Sequence, residues 1–165
     1  MKYLLFIILS ISFSAYAQSS ECIVKRIIDG DTFVCIFPID KEEKIRLIGV
    51  DAPESRMNRK TQSDIEKSGM DYETIKALGR QSTEFIKTHI KPADVVKLEI
   101  DIQNRDSSGR ILAYVYLQDG TMFNQLLVEE GYAQVATYPP NVKYVDLFIA
   151  AQKQAQKNKK GLWKD

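Results

Sequence analysis

The side chains best suited to chemistry in this 165-residue chain are carboxylates and arginines placed where strands should begin or end. Asp29-Gly30-Asp31-Thr32 joins two β-rich stretches. Asp29-Gly30 suits a tight turn, but Asp31 then opens a strand, where Asp is disfavoured unless it binds something. Arg46 sits inside the apolar run Arg46-Leu47-Ile48-Gly49-Val50, and Asp51 and Glu54 crowd its end around Ala52-Pro53. Gly109-Arg110 sets a second arginine at the mouth of another strand. Taken singly, an ordinary turn or a strand-end salt bridge accounts for each segment. Together they supply what hydrolysis of a phosphodiester requires: two Asp for a calcium-type site, a Glu, and two planar guanidinium forks for phosphate oxygens.

Other chemistries are poorly served. His89 is the only histidine, which removes a two-histidine ribonuclease and a histidine-metal nuclease, and it reads best as a surface residue near a helix C-terminus. No Walker or dinucleotide fingerprint is present.

The elements that must position these residues follow from the apolar pattern. Cys22 to Phe37 reads as strand, turn, strand around Asp29-Gly30. Lys44 to Val50 is a third strand, ended by Pro53, which has no donor for a ladder. Val95 to Ile100 is a fourth, and Arg110 to Leu117 a fifth, bounded by Asn104-Arg105-Asp106-Ser107-Ser108-Gly109 and Asp119-Gly120. Helices are predicted over Tyr72 to His89, Phe123 to Glu130 and Val142 to Lys159, with Gly79 weakening the middle of the first. Between Glu54 and Tyr72 the sequence is polar without an apolar period, and we expect a mobile loop there. Five strands and three helices in this order fit an α+β domain around a small barrel.

The chain ends and the charge bound the setting. Lys2, an apolar run from Tyr3 to about Phe13, and Ala15-Tyr16-Ala17 form the pattern of a secretory signal peptide, residues 1–17, leaving a single domain over 18–165. A membrane anchor fits less well, because the run falls short of the roughly 20 apolar residues that span a bilayer. An exported product, periplasmic or secreted, is therefore expected. Lys and Arg number 23 against 22 Asp and Glu, so no broad basic footprint for duplex nucleic acid exists, and lysines such as Lys60 read as solvated helpers at most. Cys22 and Cys35 flank one hairpin; in an oxidising compartment a local disulfide is favoured over two buried thiols.

Asp29-Gly30-Asp31-Thr32, the Arg-Leu-Ile-Gly-Val-Asp-Ala-Pro-Glu run from Arg46, Asp106-Ser107-Ser108-Gly109-Arg110 and Gly161-Leu162-Trp163 occur in an order and spacing that resembles the staphylococcal nuclease family, from about Ile23 to Trp163. The resemblance implies a five-stranded OB-fold barrel with three helices. It implies a calcium-dependent, sequence-nonspecific endonuclease acting on DNA and RNA, single-stranded or frayed, releasing 3′-phosphorylated products, as a monomer. By the same resemblance Asp31, Asp51 and the Ala52 carbonyl would hold Ca2+. Arg46 and Arg110 would clamp the phosphate, Glu54 would activate water, and Asp29 would support the turn. Ser108 replaces a tyrosine of the family prototype, and its tyrosine pair is matched loosely by Thr137-Tyr138-Pro139-Pro140. A non-catalytic OB-fold nucleic-acid-binding protein of the envelope is the alternative, which retention of all five charged residues opposes.

Overall fold

The computed structural model describes residues 19–164. The proposed signal peptide lies outside them. Five strands close a barrel in the order β1 (Ser19–Ile27), β2 (Thr32–Phe37), β3 (Lys41–Leu47), β6 (Ile111–Tyr116), β5 (Val95–Glu99). All ladders are antiparallel except β3 with β6, which run parallel with Arg46 opposite Leu112. Side chains alternate across a strand, so Arg110, two residues before Leu112, belongs to the face that carries Arg46. The α+β barrel expected from the sequence is the fold observed.

Inside the barrel and between it and the helices lie Phe33, Ile45, Leu47, Leu98, Tyr114 and Phe148, all essentially without solvent contact. Cys22 and Cys35 are joined by a disulfide across β1 and β2, with Cα atoms 5.7 Å apart. The bridge favoured from the hairpin pattern is therefore present.

Two expectations are corrected. The third strand does not run to Val50; it stops at Leu47, because Gly49 adopts φ +76 with its Cα against the Phe148 ring, and the chain turns. Val50–Asp51 then forms a separate two-residue strand, β4, paired with β7 (Gln134–Val135). The stretch after Glu54 is not an irregular loop. It holds α1 (Arg59–Ser68), so four α-helices rather than three are present among the described residues. Only Thr61 of α1 is buried, which explains why no apolar stripe announced it. Its ends hold it instead: Asn58 and Thr61 exchange hydrogen bonds in a capping box, and Gly69 closes the helix at φ +70.

The other helices fall close to their predicted places. α2 (Tyr72–His89) packs Ile75 and Ile86 inward, while α3 (Phe123–Glu129) and α4 (Val145–Lys157) cover the barrel with Leu127 and Phe148. Among the described residues no helix is long and apolar enough to cross a membrane.

Candidate active site

The turn between β1 and β2 is held from within. The Asp31 amide donates to Asp29 Oδ1 at 3.1 Å, which aims the Asp31 side chain toward β4. There Asp31 Oδ2 accepts from the Ala52 amide at 2.9 Å, and Oδ1 accepts from the Thr32 hydroxyl at 2.9 Å. Asp31 is 7% exposed as a residue, and both of its side-chain oxygens have partners. Gly30 makes the approach possible, since a Cβ there would stand 2.7 Å from both the Ala52 and Ser82 Cβ atoms.

Arg46 projects from the end of β3 into the same corner. One terminal nitrogen donates to the Leu47 and Val50 carbonyls at 2.9 and 2.8 Å and lies 3.2 Å from Asp31 Oδ2. The other donates to Asp51 Oδ1 at 3.0 Å. The guanidinium thus ties the turn after β3 to two carboxylates. Asp51 follows Val50 in β4, and Pro53 then leads the backbone out so that Glu54 reaches the cleft. Arg110 enters from the residue just before β6, its Nε donating to Asp106 Oδ2 at 2.7 Å, while Asp106 Oδ1 accepts from the Ser108 and Arg110 amides. Asp31, Arg46, Asp51, Glu54 and Arg110 therefore line one open cleft, together with Asp29 and Tyr138.

Electrostatics in the cleft are dominated by crowded acids. Burial raises Glu54 above its ordinary value, and Asp31 adds to the rise while Lys60 opposes it. Asp51 is also raised, by burial first, against the pull of Lys60. Asp29 is pushed up to about 6 by burial and by the neighbouring Asp31.

Sequence reasoning missed three side chains. Lys60 of α1 is not a solvated helper: its Nζ donates to the Ala52 carbonyl at 2.6 Å and lies 3.3 Å from Asp51 Oδ2, 3.8 Å from Glu54 Oε1 and 3.5 Å from Asp64 Oδ2. Burial would lower the Lys60 ammonium, but Asp51, Asp64 and Glu54 outweigh it and hold it above its ordinary value. Asp64, one turn along α1, and Asp106, which orients Arg110, complete the set. The i,i+4 spacing of Lys60 and Asp64 was the available signal, but it required a helix to be recognised first.

Among the described residues no group of three or more His, Cys, Asp or Glu is arranged around a common point as a metal site. What converges here instead is a carbonyl and carboxylates on an ammonium. The donors are hard oxygens, two of them the Asp51 carboxylate and the Ala52 carbonyl, and they already gather around a cation; this donor set fits a calcium ion.

Comparison with known proteins identifies the family. The profile described as "Staphylococcal nuclease homologue" matches residues 44–165. The thermonuclease of Staphylococcus intermedius is 41% identical over 153 residues, 91% of this chain and 80% of that protein. The thermonuclease of Staphylococcus hyicus is 39% identical over 140 residues, 85% and 73% of the two chains. Endonuclease YhcR of Bacillus subtilis (strain 168) is 33% identical over 147 residues, 88% of this chain but 11% of that much longer protein. With most of the chain matched, and most of each thermonuclease, this protein belongs to the staphylococcal nuclease family.

Proposed function

We propose that this protein is a nuclease, a phosphodiester hydrolase that needs calcium and cuts DNA and RNA without sequence specificity. The observation that carries the reading is the meeting of Asp31, Asp51, Glu54, Arg46 and Arg110 in one cleft. Asp31, Asp51 and the Ala52 carbonyl would hold the ion, which supplies positive charge beside the scissile phosphate.

The chain's own residues divide the remaining work. Arg46 and Arg110, on one face of the β3–β6 pair, hold two phosphate oxygens and meet the charge that grows on them. Arg46 must exchange part of its present bonding to Asp31 and Asp51 for the phosphate. Glu54, whose carboxyl burial raises above its ordinary value, is the base: its carboxylate takes a proton from water as the oxygen attacks phosphorus. The P–O5′ bond breaks, the departing 5′-oxygen takes a proton from solvent while Glu54 returns its own to solvent, and the phosphate stays on the 3′ side. Asp106 and Asp29 are positioning residues, acting through Arg110 and Asp31.

Tyr138, 75% exposed beside the cleft, offers a ring for base stacking and supports a single-stranded or frayed substrate. The disulfide and the pattern of residues 1–17 support export, with a monomeric domain from residue 18 as the product. The test is cleavage of single-stranded DNA and RNA with calcium, with magnesium and with chelator, followed by analysis of the ends. Calcium-dependent cutting that leaves 3′-phosphates is expected; full activity in magnesium with calcium removed would overturn the metal assignment, since magnesium demands near-octahedral geometry.

A further inference from the structure

Calcium cannot enter this site without first meeting a cation that the chain itself supplies. The Lys60 ammonium has three donors and no acceptor, and its contacts are all with oxygen: the Ala52 carbonyl, Asp51 Oδ2, Asp64 Oδ2 and, more distantly, Glu54 Oε1. The first two are oxygens the calcium reading assigns to the ion. Arg46 does not duplicate this contact. It takes Asp51 through Oδ1 and leaves Oδ2 and the Ala52 carbonyl to Lys60.

We propose that Lys60 is a tethered competitor for the metal position, neutralising the acidic corner when calcium is absent and setting the calcium affinity by having to leave it. The proposal rests on the reading of Asp51 and the Ala52 carbonyl as calcium ligands. Its physical basis is exclusion: an ammonium 2.6 Å from a carbonyl oxygen occupies space an ion needs to reach the same atom, and two cations drawn to the same oxygens repel each other. Lys60 has somewhere to go. Its flexible four-carbon stem springs from α1, its side chain is 30% exposed, and Asp64 on the same helix stays within reach after the ammonium swings out. Because the helix is fixed at both ends by its caps, the exchange needs a change of side-chain rotamer and no movement of the barrel. The observed affinity is then the intrinsic one multiplied by the fraction of molecules in which Lys60 has withdrawn.

Calorimetric titration of the full chain with calcium chloride, comparing the parent with Lys60→Met and Lys67→Met, tests this. Lys67 lines the same cleft on α1 but makes no ion pair with these carboxylates among the described residues, so its loss removes the same charge without vacating the site. Lys60→Met should bind calcium about tenfold more tightly, and Lys67→Met within about twofold of the parent. Without calcium, Lys60→Met should unfold at lower temperature than the parent, because the acids lose their counter-ion, and saturating calcium should close that gap. Lys60→Gln, which keeps a donor for the Ala52 carbonyl, should shift affinity in the same direction should the Met variant fold poorly. Unchanged or weaker calcium binding by the Lys60 variants overturns the competition, as does an equal gain from Lys67→Met. Absence of calcium binding in every protein overturns the metal site itself, and with it the role of Lys60.

Discussion

Replacing Gly79 by alanine should slow the enzyme while leaving it folded. Gly79 lies mid-helix in α2, buried, where glycine costs about 1 kcal/mol relative to alanine. The structure shows why it is there. A Cβ at this position would stand 2.5 Å from the Glu54 carbonyl oxygen and 2.5 Å from the Ser55 nitrogen, against 3.4 Å for ordinary contact. The obstacle is backbone, so it cannot rotate away, and the Glu54–Ser55 segment must retreat by the difference, about 0.9 Å. Pro53 restricts the preceding torsion, so the displacement falls on Glu54. A misplacement of about 1 Å at a reacting group costs about 100-fold in rate. Single-turnover cleavage of single-stranded DNA at saturating calcium should show a loss of that size. Unfolding in urea should change by no more than about 1 to 2 kcal/mol, since helix propensity offsets part of the strain. A Gly79→Ala protein that cleaves within about threefold of the parent would refute the idea that α2 sets the position of Glu54.

Other substitutions separate binding from turnover and test the framework. Glu54→Gln should slow cleavage by about two orders of magnitude or more while calcium and nucleotide binding persist; near-parental turnover would show that Glu54 is not the base. Arg110→Lys should lose activity severely with an unchanged unfolding curve, because a point charge cannot reproduce the guanidinium fork that Asp106 orients; retained activity would refute it. Arg105, and after it Lys41, hold Glu43 down to about 2 from its usual 4.5, so the stability it adds is complete above that usual value and is lost as pH falls toward the lower one. Urea midpoints of the parent and Glu43→Gln should therefore converge as pH falls from about 5 to about 2, and parallel behaviour would sink the assignment. Replacing Cys22 and Cys35 together by alanine opens a link between residues 13 apart in sequence and should lower stability by at most ~3 kcal/mol, read from the same unfolding curves. A larger loss would mean the bridge does more than restrict the unfolded chain.

The barrel was legible because its strands alternate or are β-rich and its turns carry Asp-Gly pairs; five strands and three of the helices lie near their expected places. The five charged residues were legible because each interrupts such a pattern. α1 was not, since a helix held by caps with only Thr61 buried offers no periodicity to read. Lys60 followed it into error: a lysine's partners depend on where its helix docks, and the oxygens it meets come from residues 51 to 54 and from Asp64. The role of Gly79 was equally hidden. In sequence it is a poor helix residue; in three dimensions it is the space into which another segment fits.

The parallel pairing of β3 with β6 carries a consequence for timing. Residues 29–54 hold the acids and Arg46, but Arg110 arrives only when β6, made after α2 and β5, is laid beside β3. That pairing joins segments distant in sequence, and such closures come slowly, after local structure has formed. The group of five charged residues is therefore complete only once the barrel shuts, and a chain that ends before β6 keeps the acids and Arg46 but lacks the second guanidinium.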